Sequence, residues 1–121
     1  MTYDPLDGVV DANLKVDATV IRNLDAFRKK PKLANLPGVD PSAERERLTK
    51  RLDSLLDTLR EGVEANPTKR WVMAQFQRQL EAMLEEDTEG RDHFGIELEK
   101  IMDILGIESS DGLLAFYLGG L

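Results

Sequence analysis

The segment LTKRLDSLLDTLREGV, residues 48–63, carries the strongest structural pattern in the chain. Its apolar residues recur every three or four positions, which places them on one side of an α-helix: Leu48, Leu52, Leu55, Leu56, Leu59 and Val63. The opposite side carries charges of mixed sign, as a solvated helix surface does. The pattern therefore predicts an amphipathic helix, and Asp40 followed by Pro41 marks its start, so the predicted helix covers residues 41–64.

A second helix is predicted before this one, over residues 17–30. Asp17 is placed to cap it, Lys29 and Lys30 suit the negative end of the helix dipole, and Pro31 stops it. The following segment, residues 36–39, has the composition of a turn.

Three more helices are predicted after residue 64, from the same apolar spacing. The third runs to about Glu86, segment 87–90 interrupts the pattern, and a fourth and a short fifth helix follow. The boundary signals are Asn66-Pro67 before the third helix, Gly106 after the fourth, Ser109 or Ser110 before the fifth and Gly119-Gly120 after it. Met73 and Leu84 flank the apolar stripe of the third helix, and Phe116 and Tyr117 are expected to pack in the core. Trp71 is expected either at the end of the core or as an exposed interface anchor.

No segment alternates apolar and polar residues over a useful length, so no sheet is predicted. The fold class is all-α, a compact bundle of four to five helices with a layer-on-layer helical core. A length of 121 residues suits one domain, so we expect residues 1–121 to form a single helical domain whose residues 1–16 are irregular or partly helical.

The composition of the chain excludes some kinds of site and some cellular locations. The chain has no cysteine, which excludes disulfides and thiolate metal sites. The first residues are polar and acidic, unlike a secretory signal, and no apolar run is long enough for a membrane span. We therefore expect a cytoplasmic protein with no membrane partner.

No catalytic, cofactor or metal site is predicted. The one histidine, His93, has Glu89 and Glu97 four residues away on either side, yet it lacks the second Glu-x-x-His pair of a di-iron bundle. Residues 85–96 begin like a calcium loop, but their twelfth position is Ile96 instead of the required Glu. The serines lie in no nucleophile elbow, so we do not expect an enzyme.

Charge is divided unequally along the chain. Residues 1–60 hold 11 Lys/Arg against 10 Asp/Glu, whereas residues 61–121 hold 5 against 13, and these balances of +1 and −8 give the net charge of −7. Residues 81–111 contain 11 acids and only Arg91 and Lys100 as bases. Such a segment repels nucleic acid and attracts basic surfaces. The small basic cluster of Arg28, Lys29, Lys30 and Lys32 is explained by the helix dipole, so no nucleic-acid partner is expected.

Two stretches in the C-terminal half, Asn66-Pro67-Thr68 and Met102-Asp103-Ile104-Leu105-Gly106-Ile107-Glu108-Ser109-Ser110-Asp111-Gly112-Leu113-Leu114, resemble a family of small bacterial helical domains of unknown function. Residues 1–60 show no such likeness. The resemblance transfers no active site. It does imply a role in interaction, because small bacterial domains of this kind are often immunity proteins that block a toxin delivered between competing cells.

The leading hypothesis is a protein-binding module, specifically a cytoplasmic immunity protein that neutralises a basic-surfaced toxin. Its predicted contact residues are Glu85, Glu86, Asp87, Glu89 and Asp92, at the joint between the third and fourth helices. The alternative is a helical adaptor or regulatory protein, with a homodimer possible, that uses the leucine stripe or the aromatic C-terminus and has no toxin partner.

Overall fold

A computed structural model describes residues 3–33 and 43–119 of the chain. Within these residues there is no strand, and the β-type pairing is limited to an isolated bridge between Asn13 and Thr68. The α-helices are, in chain order, α1 (Ala18–Lys29), α2 (Ala43–Gly62), α3 (Lys69–Ala82), α4 (Thr88–Leu105) and α5 (Leu113–Leu118). Two 3₁₀ turns, Pro5–Gly8 and Met83–Glu85, precede α1 and follow α3. The predicted all-α bundle of four to five helices is confirmed.

The leucine stripe of α2 lies at the centre of the bundle. All six of its apolar residues are at most 2% exposed, because α1, α3 and α4 pack around α2. The buried side chains of the five helices belong to one hydrophobic cluster. The predicted start at Asp40-Pro41 and the predicted turn at residues 36–39 lie outside the described residues.

The ends of α1 follow the sequence signals. The Asp17 carboxylate accepts a hydrogen bond from the Val20 amide at 3.0 Å, as predicted. At the other end Lys30 is extended, with φ −72° and ψ 146°, because the residue before a proline avoids the helical region.

The basic cluster after α1 is partly occupied by contacts with α2. The Lys32 ammonium is 1% exposed, donates to the carbonyls of Arg28 and Lys30 at 2.9 Å each and lies 2.8 Å from an oxygen of Asp53. The Arg28 guanidinium reaches Asp57 at 2.9 Å. These contacts join α1 to α2 across the surface of the core, which leaves only part of the cluster exposed.

The start of α3 differs from the prediction. Thr68, not Asn66, is the N-cap, and its hydroxyl accepts from the Trp71 amide at 3.3 Å. The Asn66 side chain instead donates to the Gly62 carbonyl at 3.0 Å, so it closes the end of α2. Trp71 is half-buried against the core, and its ring covers Gly62 so closely that a Cβ there would lie 2.5 Å from Cζ2. Trp71 therefore packs at the end of the core, the first of the two predicted positions.

The joint between α3 and α4 also differs. The chain tightens into the 3₁₀ turn at Met83–Glu85, which changes the helical phase and leaves Leu84 55% exposed rather than buried. Asp87 then caps α4 by accepting from the Gly90 amide at 2.8 Å. Segment 87–90, predicted to interrupt the helical pattern, is thus the cap and first turn of α4.

The end of α4 is the left-handed turn that the sequence predicted. Gly106 has φ 74°, and the next amide, of Ile107, donates to the Met102 carbonyl at 2.9 Å. A residue with a Cβ is strained at that φ, which explains the glycine.

The C-terminal helix α5 confirms one packing prediction and corrects another. The Ser110 hydroxyl accepts from the Leu114 amide at 3.2 Å in the first turn, although Gly112 is the residue that directly precedes the helix. Tyr117 is buried, but Phe116 is 56% exposed, because the two adjacent side chains point to different sides of the short helix.

The N-terminal segment is irregular apart from its 3₁₀ turn, and it is attached to the bundle. The Lys69 amide donates to the Ala12 carbonyl at 2.8 Å. Asp111 accepts from the Lys69 ammonium at 2.6 Å and from the Val10 amide at 2.8 Å. The Lys69 hydrogen bond, supported by that amide, lowers the pKa of the Asp111 carboxyl. One carboxylate thereby joins the N-terminal segment, α3 and the loop before α5.

Lys32→Ala should lower the free energy of unfolding by about 2 kcal/mol, because it leaves two carbonyls without their buried donor and leaves Asp53 with Arg28, at 3.2 Å, as its remaining cation. Urea unfolding followed by circular dichroism measures this. Lys29→Ala removes an exposed lysine from the same cluster and should change stability by less than about 0.5 kcal/mol. Equal losses in the two variants would contradict a specific role for Lys32.

Candidate functional site

The five predicted contact residues lie around the joint between α3 and α4, but they differ in what they do. Glu86 and Asp87 take part in the fold, since Glu86 is paired with Arg47 and Asp87 caps α4. Glu85 and Glu89 are exposed and Asp92 is half-buried. Only these three can contact a partner without giving up a contact that holds the bundle together.

The Arg47–Glu86 pair connects α2 to the end of the 3₁₀ turn. Arg47 Nε and Nη2 donate to the two Glu86 oxygens at 3.0 and 2.8 Å, a two-point arrangement that fixes direction as well as charge. The hydrogen bond from Arg47 is the main reason why the pKa of the Glu86 carboxyl is lowered, and partial burial of Glu86 opposes it. The joint is therefore less negative than its sequence suggests.

A longer acidic surface extends along α4, where the residues at positions 89, 92, 96, 99 and 103 are spaced by three and four. This spacing puts them on one side of the helix, opposite the buried residues Phe94, Leu98, Ile101 and Leu105. We call this surface the acidic α4 face; it consists of Glu89, Asp92, Ile96, Glu99 and Asp103. It spans about 21 Å at the rise of an α-helix.

The carboxylates of the acidic α4 face are not neutralised by neighbours. Among residues 3–33 and 43–119, none of the four forms an ion pair within 4 Å. The one lysine of α4, Lys100, pairs with Glu97 at 3.0 Å. Ile96 is 48% exposed in the middle of the face. A row of unpaired carboxylates around an apolar side chain attracts a basic surface and offers it one apolar contact.

An open groove of about 410 Å³ borders the acidic α4 face on the side of α5. Apolar side chains line part of it, including Met102, Ile107 and Leu114, and carboxylates line another part, namely Glu99, Asp103 and Glu108. The nearby Ser109 and Ser110 hydroxyls already accept backbone hydrogen bonds. The groove thus extends the acidic surface past the end of α4.

The structure does not assemble the other candidate groups into a site. His93 is half-buried on α4, and in the part of the chain that the structure describes no group of three or more His, Asp or Glu is arranged to hold a metal ion. None of the helices in that part is both long and apolar enough to cross a bilayer.

Reasoning from sequence missed Glu99, Asp103 and Ile96. Acidic residues are most closely spaced at residues 85–92, so the sequence indicates the joint and not the rest of α4. The three-and-four spacing of residues 89–103 was present in the sequence and would have revealed the face. Exposure of Ile96 was not readable in this way, because an isoleucine in a helix is more often buried.

A known protein family matches most of the chain. The family model for DUF4844, described as a domain of unknown function, matches residues 15–121. The chain belongs to the DUF4844 family. This match corrects the expectation that the likeness is confined to the C-terminal half, since it includes α1 and the whole of α2. No curated protein and no solved structure matches the chain.

Arg47→Gln should lower the free energy of unfolding at pH 7, because it removes the two-point contact with Glu86. Because the pKa of Glu86 is lowered in the folded state, the pair contributes above the ordinary glutamate pKa of about 4.3, and its contribution is lost as pH falls through the lowered value. The difference from the unmodified protein should therefore shrink below about pH 4.

Urea unfolding between pH 7 and pH 3 tests this. Arg78→Gln is the matched control, since Arg78 is exposed on α3 and forms no ion pair among the described residues. A difference for Arg47→Gln that stays constant down to pH 3 would show that the pair with Glu86 is not its cause.

Proposed function

We propose that this DUF4844 protein is a protein-binding module that engages a basic surface of its partner through the acidic α4 face. The observation that supports this most is the row of four carboxylates around the exposed Ile96, none of which forms an ion pair in the part of the chain that the structure describes. Elsewhere in the bundle, carboxylates such as Asp25, Asp53 and Glu86 are paired with a cation on another segment. Among residues 3–33 and 43–119, the four carboxylates of the acidic α4 face form no such pair.

The form of the face favours a macromolecule over a small ligand. About 21 Å of helix with spaced carboxylates provides long-range attraction and many weak contacts, which speed association and select for basic partners. The adjoining groove is lined partly by apolar side chains and partly by carboxylates, so it would admit apolar and basic side chains of the partner. A basic protein surface matches both the charge and the length.

In its most specific form, the proposal is a cytoplasmic immunity protein that neutralises a toxin. A toxin that cleaves nucleic acid carries a basic cleft, because its substrate is a polyanion. An acidic helix on the surface of a small bundle is complementary to such a cleft. The toxin would be encoded beside this protein, so capture from the native host should recover the product of a neighbouring gene.

The double variant Glu99→Gln/Asp103→Asn should weaken the complex with the captured partner by about fivefold, mainly through slower association. Glu61→Gln/Glu81→Gln changes the net charge equally, from −7 to −5 as two acids are removed, but it acts on exposed residues of other helices. Association rates by biolayer interferometry at two salt concentrations separate the local effect from the effect of net charge.

The expected pattern is a loss for the α4 variant that is largest at low salt, with little change for the control. Equal affinities for the two variants would contradict docking on the acidic α4 face. Capture of a partner with an acidic surface would contradict the charge argument as a whole.

The alternative, an adaptor that forms a homodimer, is favoured by a different observation. Tyr3 and Phe116 are 63% and 56% exposed, and their rings lie 5.7 Å apart, forming an apolar spot where the N-terminal segment meets α5. The leucine stripe, the other surface considered for dimerisation, is buried in the core and is not accessible.

If this spot forms a dimer interface, Phe116→Ser should shift the protein to monomer, because the mutation removes the central aromatic contact. Light scattering over a hundredfold range of concentration measures the mass. Ile96→Ser, which removes an exposed apolar residue from another surface, should leave the mass unchanged. A protein that is monomeric at every concentration would rule out the homodimer.

A further inference from the structure

A second charged surface lies on α2 and has the opposite sign. The residues at positions 47, 50, 51 and 54 fall on one side of the helix, and they line an open groove of about 320 Å³ together with Gln79 of α3. We call it the basic α2 groove; its lining is Arg47, Lys50, Arg51, Ser54 and Gln79. Three cations, a hydroxyl and an amide line this space, and no carboxylate of the described residues is part of its lining, although Glu86 is bound to Arg47 at its border.

Two of the three cations of the basic α2 groove, Lys50 and Arg51, have no close ion pair among the described residues. Arg51 buries its Nε without a hydrogen-bond acceptor and forms no ion pair within 4 Å among the described residues. Lys50 approaches Glu46 only at 3.6 Å, and both side chains are more than 70% exposed, so that contact is loose. The Lys50 ammonium and the terminal guanidinium nitrogens of Arg51 are therefore the positive groups of the groove that remain without a close anionic partner in the described residues.

Arg47, the third cation, shows that a residue of the groove binds an oxyanion. Arg47 holds the Glu86 carboxylate at two points, and the charge of Arg51 also acts on Glu86. An oxyanion of the chain itself thus sits beside the groove, bound to one of its arginines. The other residues that line the groove are Lys50, Arg51, Ser54 and Gln79.

We infer that the basic α2 groove binds a phosphate group carried by a small molecule. A phosphate offers several acceptor oxygens, which suits a set of donors that combines a guanidinium, an ammonium, a hydroxyl and an amide. The space of about 320 Å³ admits a phosphate and a few further atoms. A long polyanion is disfavoured, because the net charge of −7 repels it beyond the groove.

This inference does not depend on the proposed function. The groove is formed by α2 and α3, whereas the acidic face belongs to α4, and the two surfaces share no residue. A module with both surfaces would bind its protein partner and a phosphorylated small molecule separately.

The test titrates the folded protein with inorganic phosphate, at constant ionic strength set with chloride, and follows amide shifts by NMR. Saturable shifts should be centred on residues 47–54 and 79. Lys50→Gln and Arg51→Gln should each weaken binding by about tenfold, the expected size for one lost charge-assisted contact. Lys29→Gln, an exposed lysine of α1, should leave the affinity unchanged.

Glu86→Gln should have the opposite effect on the affinity for phosphate. It removes the negative charge beside the groove and loosens the hold on Arg47, so phosphate binding should become tighter by about threefold. A merely structural role of these residues would not strengthen binding. Melting temperatures confirm that each variant is folded, and Lys50, being exposed, is the substitution least able to disturb the core.

Three results would overturn the inference. They are the absence of saturable shifts around the groove, an equal loss of affinity in Lys29→Gln, and unchanged or weaker binding in Glu86→Gln. A second titration with a nucleoside 5′-monophosphate distinguishes recognition of phosphate alone, which gives equal affinity, from recognition that includes the attached molecule, which gives a higher affinity.

Discussion

Burial of the leucine stripe of α2 is the interaction on which the rest of the structure depends. Each of its leucines contributes about 1.5–3 kcal/mol when it leaves water, whereas each ion pair on the bundle surface contributes about 0–1 kcal/mol. Because the stripe needs cover along its length, α1, α3 and α4 pack around α2. The polar side of α2 is then left facing outward and supplies both partners for ion pairs and a basic surface.

Ion pairs between segments join the packed helices at the surface of the bundle. Arg28 reaches Asp57 from α1, Arg60 of α2 reaches Asp25 at 3.0 Å, and Arg47 holds Glu86. These contacts join α2 to α1 and to the joint after α3. They also consume a part of the acidic charge, so the distribution of free charge on the surface differs from its distribution in the sequence. Among the described residues, the outer side of α4 keeps a row of four carboxylates without ion pairs, and this is why the proposed interface follows that helix and not the joint.

Much of the fold was predictable from local patterns. The apolar spacing in α2, α3 and α4 identified the buried faces, and Asp17, Pro31 and Gly106 marked helix ends, because capping and left-handed turns depend on neighbouring residues only. The errors have tertiary causes. Asn66 closes α2 instead of opening α3, since extended residues before α3 lie against the N-terminal segment. Leu84 is exposed because a 3₁₀ turn shifts the phase of the chain.

The negative charge of the candidate site was predictable from the sequence, but its position on the surface was not. The sequence by itself determined a helical chain whose C-terminal half is acidic, since periodicity and charge are properties of nearby residues. Only the tertiary structure decided which carboxylates are free, because pairing depends on residues far apart in sequence, as with Arg47 and Glu86. The same long-range packing brings Gln79 of α3 beside the cations of α2. Neither the acidic α4 face nor the basic α2 groove is defined until the helices have packed, because each is what remains exposed once the core and the ion pairs have formed.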